Sequence, residues 1–329
     1  MSDTRNHHFV PQGYLRGFAK YPPAYPKKAQ VFVSDLNLRK SYTTSVRNVA
    51  AIRDFNRIEA EDQHPNALEE AYGHLEGSAA SAIRRITRTA TFDGEDKIIV
   101  LNLIALLAIR NPRLRENMAD FQSRIYKSVA QILTGTRERW ESTARRAEAS
   151  KPPEERRELK PEDYDNVKAL IDSDEYDVVT HQNTHISQEL NTFETVLRTL
   201  MDRKWILQVA TSKAGDFIAS DHPVVLRNTR DIPGPFGRAA GHGMRNTILL
   251  FPLTRRTALV GQFEGDDGVI PVGTSIVAQT NSMLIDNAKT QVYAYDDSFQ
   301  YVRYRRLYPG KDLHNDPETE RRLGDEVDE

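Results

Sequence analysis

The run IIVLNLIALLAI, residues 98–109, limits most strongly what this chain can fold into. A helix built from it is apolar almost all round, so it must be covered on every face. Twelve residues rise only about 18 Å as a helix, which is too short to span a bilayer. The run therefore predicts a buried core helix and no membrane partner.

The pattern of apolar residues changes along the chain. From residue 66 to 89 they recur at intervals of three and four, which predicts an amphipathic helix. Further helices are expected at 113–149 and 185–203, with a charged, proline-broken connector at 150–164 between them. After Trp205, short β-rich runs alternate with Gly, Pro and Asp. This order predicts an α+β fold, a helical first half packed with a sheet-rich, mostly antiparallel second half.

These changes of pattern predict four regions within one integrated domain. The regions are an N-terminal His motif with short strands at 1–62, a helical region at 63–203, a sheet-rich region at 204–308 and a disordered acidic tail at 309–329.

The charge balance and the lack of cysteine exclude several classes of function. The 45 Lys and Arg residues nearly match the 47 Asp and Glu residues, so the overall field attracts neither nucleic acid nor acidic membranes. A nucleic-acid partner would need a local basic patch. No cysteine is present, which excludes disulfides, thiolate zinc sites and cysteine nucleophiles. Without a signal-like apolar segment at its start, the chain is expected to be soluble and cytoplasmic.

The stretch NHHFVPQGYLRGFA, residues 6–19, concentrates titratable and aromatic side chains near the start. Imidazoles near neutral pH serve as general bases and metal ligands. On an extended strand His7 and His8 point to opposite sides, so only one of them is expected to face a site. The apolar residues that follow predict docking of this segment against the core. The alternative is a pair of solvated histidines.

Two glutamates mark one face of the helix predicted at 66–89. Glu69 and Glu76 are seven residues apart, which places them about 20° out of register. The nearby positions Gly73 and Ala80 are small and leave room for an ion, a substrate or another chain. The alternative is a solvated face beside the apolar stripe.

Three arginines follow the apolar run, in the segment AIRNPRLRE. Arg110, Arg113 and Arg115 can cap the helix, and they can also clamp a phosphate or carboxylate, which Arg binds bidentately. Because Arg110 emerges from an apolar helix, it requires a carboxylate partner, which Glu69 or Glu76 can supply.

The stretch FIASDHPVVL places polar groups at a turn after a strand-like run. Such positions often carry functional groups, and the following proline restricts the backbone of His222. The alternative is a turn in which Asp221 binds its own backbone.

Two further segments are open to two interpretations each. Residues 233–246 form a glycine-rich loop with Arg238, His242 and Arg245, which we interpret as a flap rather than a phosphate cradle. The run YVRYRRLY, residues 301–308, interleaves Arg and Tyr on a predicted strand, which suits stacking on nucleic acid or an exposed sheet edge equally well.

Six stretches share their order with one known family. They are HHFVPQGYLRGFA, LEEAYGHLE, AIRNPRLRE, FIASDHPVV, LLFPLT and TNSMLIDNA. Together they resemble domain-of-unknown-function family 4238 over about residues 6–295, with departures at Gly13 and His222. The resemblance implies a shared architecture and a shared polar site, and it names no reaction. The matched polar positions include Gln12, Tyr14 and Asn281.

One hypothesis is a metal-dependent phosphodiesterase or nuclease. A cation, Mg²⁺ or Mn²⁺ rather than Zn²⁺, would activate water while arginines stabilise phosphate charge. The expected catalytic residues are His7, His8, Glu69, Glu76, Arg110, Arg113 and Asp221. The expected metal ligands are His8, Glu76 and Asp221. The expected substrate-binding residues are Gln12, Tyr14, His222 and Asn281.

The other hypothesis is a non-catalytic sensor or interaction module, for example an accessory of bacterial or phage defence. The same polar residues would then form a buried salt-bridge network that ties the N-terminal segment to the rest of the protein.

Overall fold

A computed structural model describes residues 5–20, 28–230 and 240–316. The chain divides into two compact units, one formed by residues 1–111 and 186–329 and the other by residues 112–185. The helical region expected at 63–203 is therefore divided between the two units. Residues 233–239 of the glycine-rich loop, including Arg238, lie outside the described residues.

The α+β class is confirmed, with helices prevailing early and sheets late in the chain. Among the described residues the helices are α1 (Gln12–Leu15), α2 (Ala67–Thr89), α3 (Gly94–Ile109), α4 (Pro112–Thr134), α5 (Arg137–Ala149), α6 (Pro161–Ser173), α7 (Gln182–Met201) and α8 (Thr274–Asn287). The strands are β1 (Asn6–His8), β2 (Gln30–Asp35), β3 (Lys40–Ser45), β4 (Ala51–Arg53), β5 (Lys204–Ala210), β6 (Ala219–Ser220), β7 (Val225–Asn228), β8 (Thr247–Thr254), β9 (Thr257–Gln262), β10 (Gly268–Val272), β11 (Gln291–Ala294), β12 (Gln300–Arg303) and β13 (Arg306–Pro309).

Two sheets organise the first unit. The larger has the order β10-β5-β9-β8-β7 and is antiparallel except for the β10–β5 pair. The smaller has the order β3-β2-β11-β6 and is antiparallel throughout. Its central pair joins Gln30–Asp35 to Gln291–Ala294, so an early strand lies beside one of the last strands of the chain.

The apolar run forms α3 and lies in the core, as the sequence predicts. Its buried residues extend from Val100 to Ile109 and cover every side of the helix. The amphipathic helix α2 packs against it, with Ala79, Ile83 and Ile86 in the same apolar cluster. No helix in the described ranges is long and apolar enough to cross a bilayer.

The second unit corrects the prediction of one long helix at 113–149. The chain leaves α4 after Thr134, and Thr136 caps the new helix α5 by accepting a hydrogen bond from the Arg139 N–H. Hydroxyl caps of this kind start helices because they satisfy an otherwise unpaired backbone donor. The predicted single helix is therefore wrong, and a helix pair joined at Gly135 replaces it.

The C-terminal part of the described chain also differs from the prediction. The run YVRYRRLY forms a hairpin, β12–β13, instead of one strand. Residues 310–315 then form a 3₁₀ helix with Leu313 fully buried, so ordered chain continues past residue 309. Residues 317–329 of the expected tail lie outside the described part of the chain.

Candidate functional site

The N-terminal motif is fixed to the first unit by a short strand pair and by buried aromatic rings. Strand β1 pairs antiparallel with β4, with His7 opposite Ile52 and His8 opposite Ala51. In the following turn Tyr14, Leu15 and Phe18 are buried in the main apolar cluster. The prediction that these residues dock the segment against the core is therefore confirmed.

The two histidines face opposite sides of β1, as extended backbone requires. His7 is completely buried, and its Nδ1 accepts a hydrogen bond of 2.9 Å from the Asn56 backbone N–H. The Asn56 side chain in turn donates to Glu69 Oε2 at 2.7 Å. His7 therefore belongs to a buried chain of contacts that positions β1 against α2. It does not line the cavity that His8 lines on the other side of the strand.

His8 instead lines a cavity of about 560 Å³ beside the β1–β4 pair. The cavity walls are formed by Arg5, Asn6, His8, Gln12, Arg47, Arg53 and Glu69. Three arginines and one glutamate line the cavity, and Asp54 compensates the charge of Arg5, so positive charge still prevails around the cavity on a chain whose net charge is only −2. A cavity of this composition favours an anionic ligand.

The arginines of this basic pocket differ in their pairing. Arg5 binds the Asp54 carboxylate, and Arg53 lies 3.5 Å from the same group. Arg47 is exposed and has no carboxylate partner among the residues described by the structure. Its guanidinium is the cation most available to an incoming ligand.

The contacts of His8 define its protonation. Its Nε2 lies 3.2 Å from the Arg47 carbonyl oxygen, which can only accept, so Nε2 carries the proton. Its Nδ1 then accepts a contact of 3.5 Å from the Gln12 amide. Burial lowers the pKa of His8, although the Arg47 carbonyl and the nearby Glu69 partly oppose this shift. Near neutral pH the ring is therefore uncharged, with a lone pair on Nδ1.

Behind the pocket, Arg110 and Glu76 form the ion pair that the sequence predicts. Arg110 has no exposed surface, and its Nη2 donates to Glu76 Oε1 at 3.0 Å while its guanidinium lies 4.4 Å from the centre of the Tyr72 ring. Its Nε and Nη1 have no hydrogen-bond partner among the described residues. Burial raises the pKa of Glu76, with Arg110 opposing.

Of the two small positions on α2 beside Glu76, Ala80 is covered and Gly73 is open. A Cβ atom added at Gly13 would lie 3.1 Å from the Ala80 side chain, because α1 packs closely on α2 at this point. By contrast, nothing lies within 4 Å of a Cβ added at Gly73. The space expected for a ligand near Ala80 is therefore filled by the N-terminal segment itself.

The structure gives Asp221 a structural role, which corrects its assignment to catalysis and metal binding. Its carboxylate accepts hydrogen bonds from the backbone N–H groups of Lys289, Thr290 and Gln291, at 2.8, 2.6 and 3.0 Å, and from the Thr290 hydroxyl at 2.7 Å. Burial raises the pKa of this carboxyl, and the four hydrogen bonds oppose the shift. Asp221 thus holds the turn between α8 and β11.

Three of the expected substrate-binding residues also serve the fold. The Tyr14 hydroxyl donates to the Pro252 carbonyl at 2.8 Å, and the ring stacks on Phe251. The Asn281 oxygen accepts from the Ile218 N–H at 3.0 Å, and its amide donates to the carbonyls of Asp216 and Gln300. The His222 Nδ1 accepts from the Asn287 amide at 2.7 Å.

Gln12 is the expected substrate-binding residue that the structure places in the basic pocket. Arg113, expected to be catalytic, lies in the first turn of α4, in the second unit.

The expected metal centre is not assembled. Within the described ranges, no three His, Asp or Glu side chains are grouped as the ligands of an ion would be, so His8, Glu76 and Asp221 do not form a set. In the basic pocket Glu69 is one carboxylate among three guanidinium groups, a donor set that does not fit a preformed Mg²⁺ or Mn²⁺ site.

Sequence reasoning missed most of the arginines and amides of the pocket. Asn6 could have been found from alternation, since it shares a face of β1 with His8. Arg53 could not, because β4 has only three residues and no alternating pattern to reveal its pairing with β1, and Arg47 could not, because it lies in a single 3₁₀ turn at Val46–Asn48. Asn56 gave no local signal for its contact with Glu69.

Comparison with known proteins adds a family but no function. No curated protein and no solved structure matches the chain. One family model matches residues 6–298, a range that includes every lining residue of the basic pocket except Arg5, and also the Asp221 turn. Because the match extends over most of the sequence, this chain belongs to the family described as "Protein of unknown function (DUF4238)".

Proposed function

We propose that this chain binds a phosphodiester in the basic pocket and hydrolyses it, with His8 as the general base. The observation that carries the proposal is the convergence of three arginines, His8 and Glu69 on one cavity. Guanidinium groups bind phosphate oxygens through paired hydrogen bonds, and Arg47 is available for such a contact. A local basic patch is the feature that a chain of balanced charge needs for a nucleic-acid partner.

The chemistry follows from the tautomer of His8. A water that replaces the long Gln12 contact, 3.5 Å in length, can give a proton to the Nδ1 lone pair, and the resulting hydroxide attacks phosphorus. The bond from phosphorus to the leaving oxygen then breaks, and that oxygen takes a proton from solvent. Arg47 and Arg53 stabilise the negative charge that develops on the phosphoryl oxygens. Glu69, held by Asn56 through one oxygen, keeps its other oxygen to orient the attacking water.

The test is hydrolysis of bis(p-nitrophenyl) phosphate and of single- and double-stranded DNA and RNA. Assays with EDTA, with Mg²⁺ and with Mn²⁺ determine whether a cation takes part. We expect His8→Asn to lower kcat about 100-fold, as for loss of a general base, and Arg47→Ala to raise KM. Arg198→Ala, which removes an exposed arginine on α7, is the matched control.

Two results would refute the catalytic proposal. One is unchanged turnover in His8→Asn, and the other is binding of the oligonucleotides with no cleavage in any of the three ionic conditions. The second result would favour the interaction module, which the buried contacts of His7, Asn56 and Glu69 and the Arg110–Glu76 pair also support.

A further inference from the structure

A second cavity lies at the β12–β13 hairpin and has a different chemistry. Its volume is about 300 Å³, and the hairpin and the 3₁₀ helix at Gly310–Asn315 enclose it. Its walls are formed by Tyr301, Arg303, Tyr304, Tyr308, Asp312, Asn315 and Asp316. We refer to it as the tyrosine pocket. Three aromatic rings among seven lining residues make it a site for a flat ligand.

Tyr301 is buried against Tyr308, so Tyr304 and Tyr308 are the rings of the tyrosine pocket that a ligand can reach. Tyr301 and Tyr308 lie across the hairpin with ring centres 5.8 Å apart and planes at 30°. Tyr304 is 68% exposed at the two-residue turn, where it and Arg305 have φ values of 49° and 63°. Hairpin turns of this type normally use Asn or Gly, because bulkier residues are strained there. The strained turn places an aromatic ring and a cation at the rim of the cavity.

The polar groups of the tyrosine pocket include an arginine that is already ion-paired and two side chains that can still bind a ligand. Arg303 binds both Asp286 and Asp316, at 2.7 and 2.8 Å, so its charge is compensated. Among the described residues, Asp312 and Asn315 make no side-chain hydrogen bond or ion pair. The cavity thus offers a carboxylate that accepts and an amide that can donate or accept.

Two exposed cations directly follow Tyr304, one of the lining residues, along the chain. Arg305 and Arg306 lie at and after the turn, and neither has a carboxylate partner in the part of the chain that the structure describes. An available acceptor inside and cations outside match a ligand with N–H donors on a flat ring and a phosphate attached to it.

We propose that the tyrosine pocket binds one unpaired nucleotide, with guanine as the preferred base. The base stacks on Tyr304 and Tyr308, its adjacent N1–H and N2–H groups donate to the Asp312 carboxylate, and its phosphate contacts Arg305 or Arg306. Aromatic stacking combined with hydrogen bonds to the base edge is how proteins recognise unpaired bases. The proposal is independent of hydrolysis in the basic pocket, because none of its residues lines that pocket.

The experiment is calorimetric titration of the full chain with GMP, guanosine, AMP and a guanine-containing RNA tetranucleotide. We expect GMP to bind at least fivefold more tightly than AMP, and Asp312→Asn to weaken GMP binding about tenfold, as for loss of one base-edge contact. Replacing Arg305 and Arg306 by Ala should weaken GMP binding but leave guanosine binding unchanged. If the tetranucleotide binds more tightly than GMP, the nucleotide that the pocket binds belongs to an RNA chain and is not a free nucleotide.

Tyr304 offers the sharpest test, because its exposed side chain is not needed for folding. Tyr304→Gly should raise the melting temperature, since glycine adopts the left-handed turn without strain, yet weaken binding of every base. Tyr126→Ala, which removes another exposed tyrosine, should change neither. His8→Asn should retain GMP binding, which separates this proposal from hydrolysis. Absence of GMP binding at millimolar concentration, or equal GMP affinity in Asp312→Asn, would overturn the proposal.

Discussion

Arg110 has no exposed surface, and Glu76 is the carboxylate that compensates its charge. A buried ion pair contributes little net stability, but removal of one partner leaves the other charge buried and unpaired. We therefore expect Glu76→Ala to lower the free energy of unfolding by about 3 kcal/mol, measured by urea denaturation.

Glu70→Ala, at an exposed position of the same helix, is the control and should cost well under 1 kcal/mol. The double variant Arg110→Met with Glu76→Leu should recover most of the lost stability, because no charge is then buried. Equal losses in Glu76→Ala and Glu70→Ala would show that the pair does not compensate a buried charge.

Asp221 has a structural role, whereas its sequence context suggested a catalytic one. An asparagine at this position keeps one acceptor oxygen but turns an N–H₂ group toward backbone donors, so the turn between α8 and β11 loses hydrogen bonds. Asp221→Asn should lower the free energy of unfolding by about 2 kcal/mol. At a temperature where the variant is folded, its phosphodiester binding in the basic pocket should equal that of the wild type. Weaker phosphodiester binding by folded Asp221→Asn would restore a role in the site.

His242 makes stability depend on pH. Burial, with Arg203 beside it, lowers the pKa of His242 to about 4. In the unfolded chain the pKa returns to about 6.5, so the unfolded state binds a proton first as the pH falls. Stability should therefore be constant above pH 7 and fall by up to about 3 kcal/mol between pH 6.5 and pH 4.

Urea denaturation at several pH values checks this prediction. The variant His242→Gln should flatten the pH dependence, leaving a smaller slope from His8, His185 and His314, whose pKa values burial also lowers. An unchanged slope in this variant would assign the pH dependence to other groups.

At the scale of elements, the contact between α1 and α2 sets the position of the N-terminal segment. Gly13 approaches Ala80 too closely for a larger side chain, while the helical position Gly73 has open space around it. Gly13→Leu should lower stability by about 1–3 kcal/mol through overpacking, and Gly73→Ala should raise it by about 0.5–1 kcal/mol through helix propensity. Thermal melting of the two variants compares them directly. A stabilising effect of Gly13→Leu would show that α1 can move away from α2 at no cost.

The elements that periodicity could reveal were predicted well. QVFVSD, whose Val31 and Val33 alternate with other residues, forms one of the short strands expected within 1–62, β2, and TILLFPLT, one of the β-rich runs after Trp205, forms β8. Elements whose ends depend on one or two residues were not predicted. A glycine and a threonine cap divide the helix predicted at 113–149, and two left-handed residues turn YVRYRRLY back on itself. Such local changes alter no apolar pattern, so periodicity gives no sign of them.

At the scale of the whole molecule, the candidate site also has one part that the sequence could predict and one part that it could not. Residues 6–19 and Glu69 could be singled out, because their types and spacing are unusual. Their neighbours could not, because the pocket depends on the pairing of two three-residue strands and on Asn56 contacting α2. The residues from the second half of the chain, such as Asp221, were misassigned because a polar turn looks the same in sequence whether it binds a ligand or its own backbone.

The pairing of β2 with β11 has a consequence for how the protein acquires its structure. About 260 residues separate the two strands. The chain between them must bring its ends together before the facing edges of β2 and β11 can form their hydrogen bonds. Long-range pairings of this kind are slow to form. Until then β2 exposes an apolar edge on which other chains can add. We expect refolding yield to fall as protein concentration rises, and a chain shortened before residue 291 to aggregate instead of folding. Light scattering during refolding measures both effects.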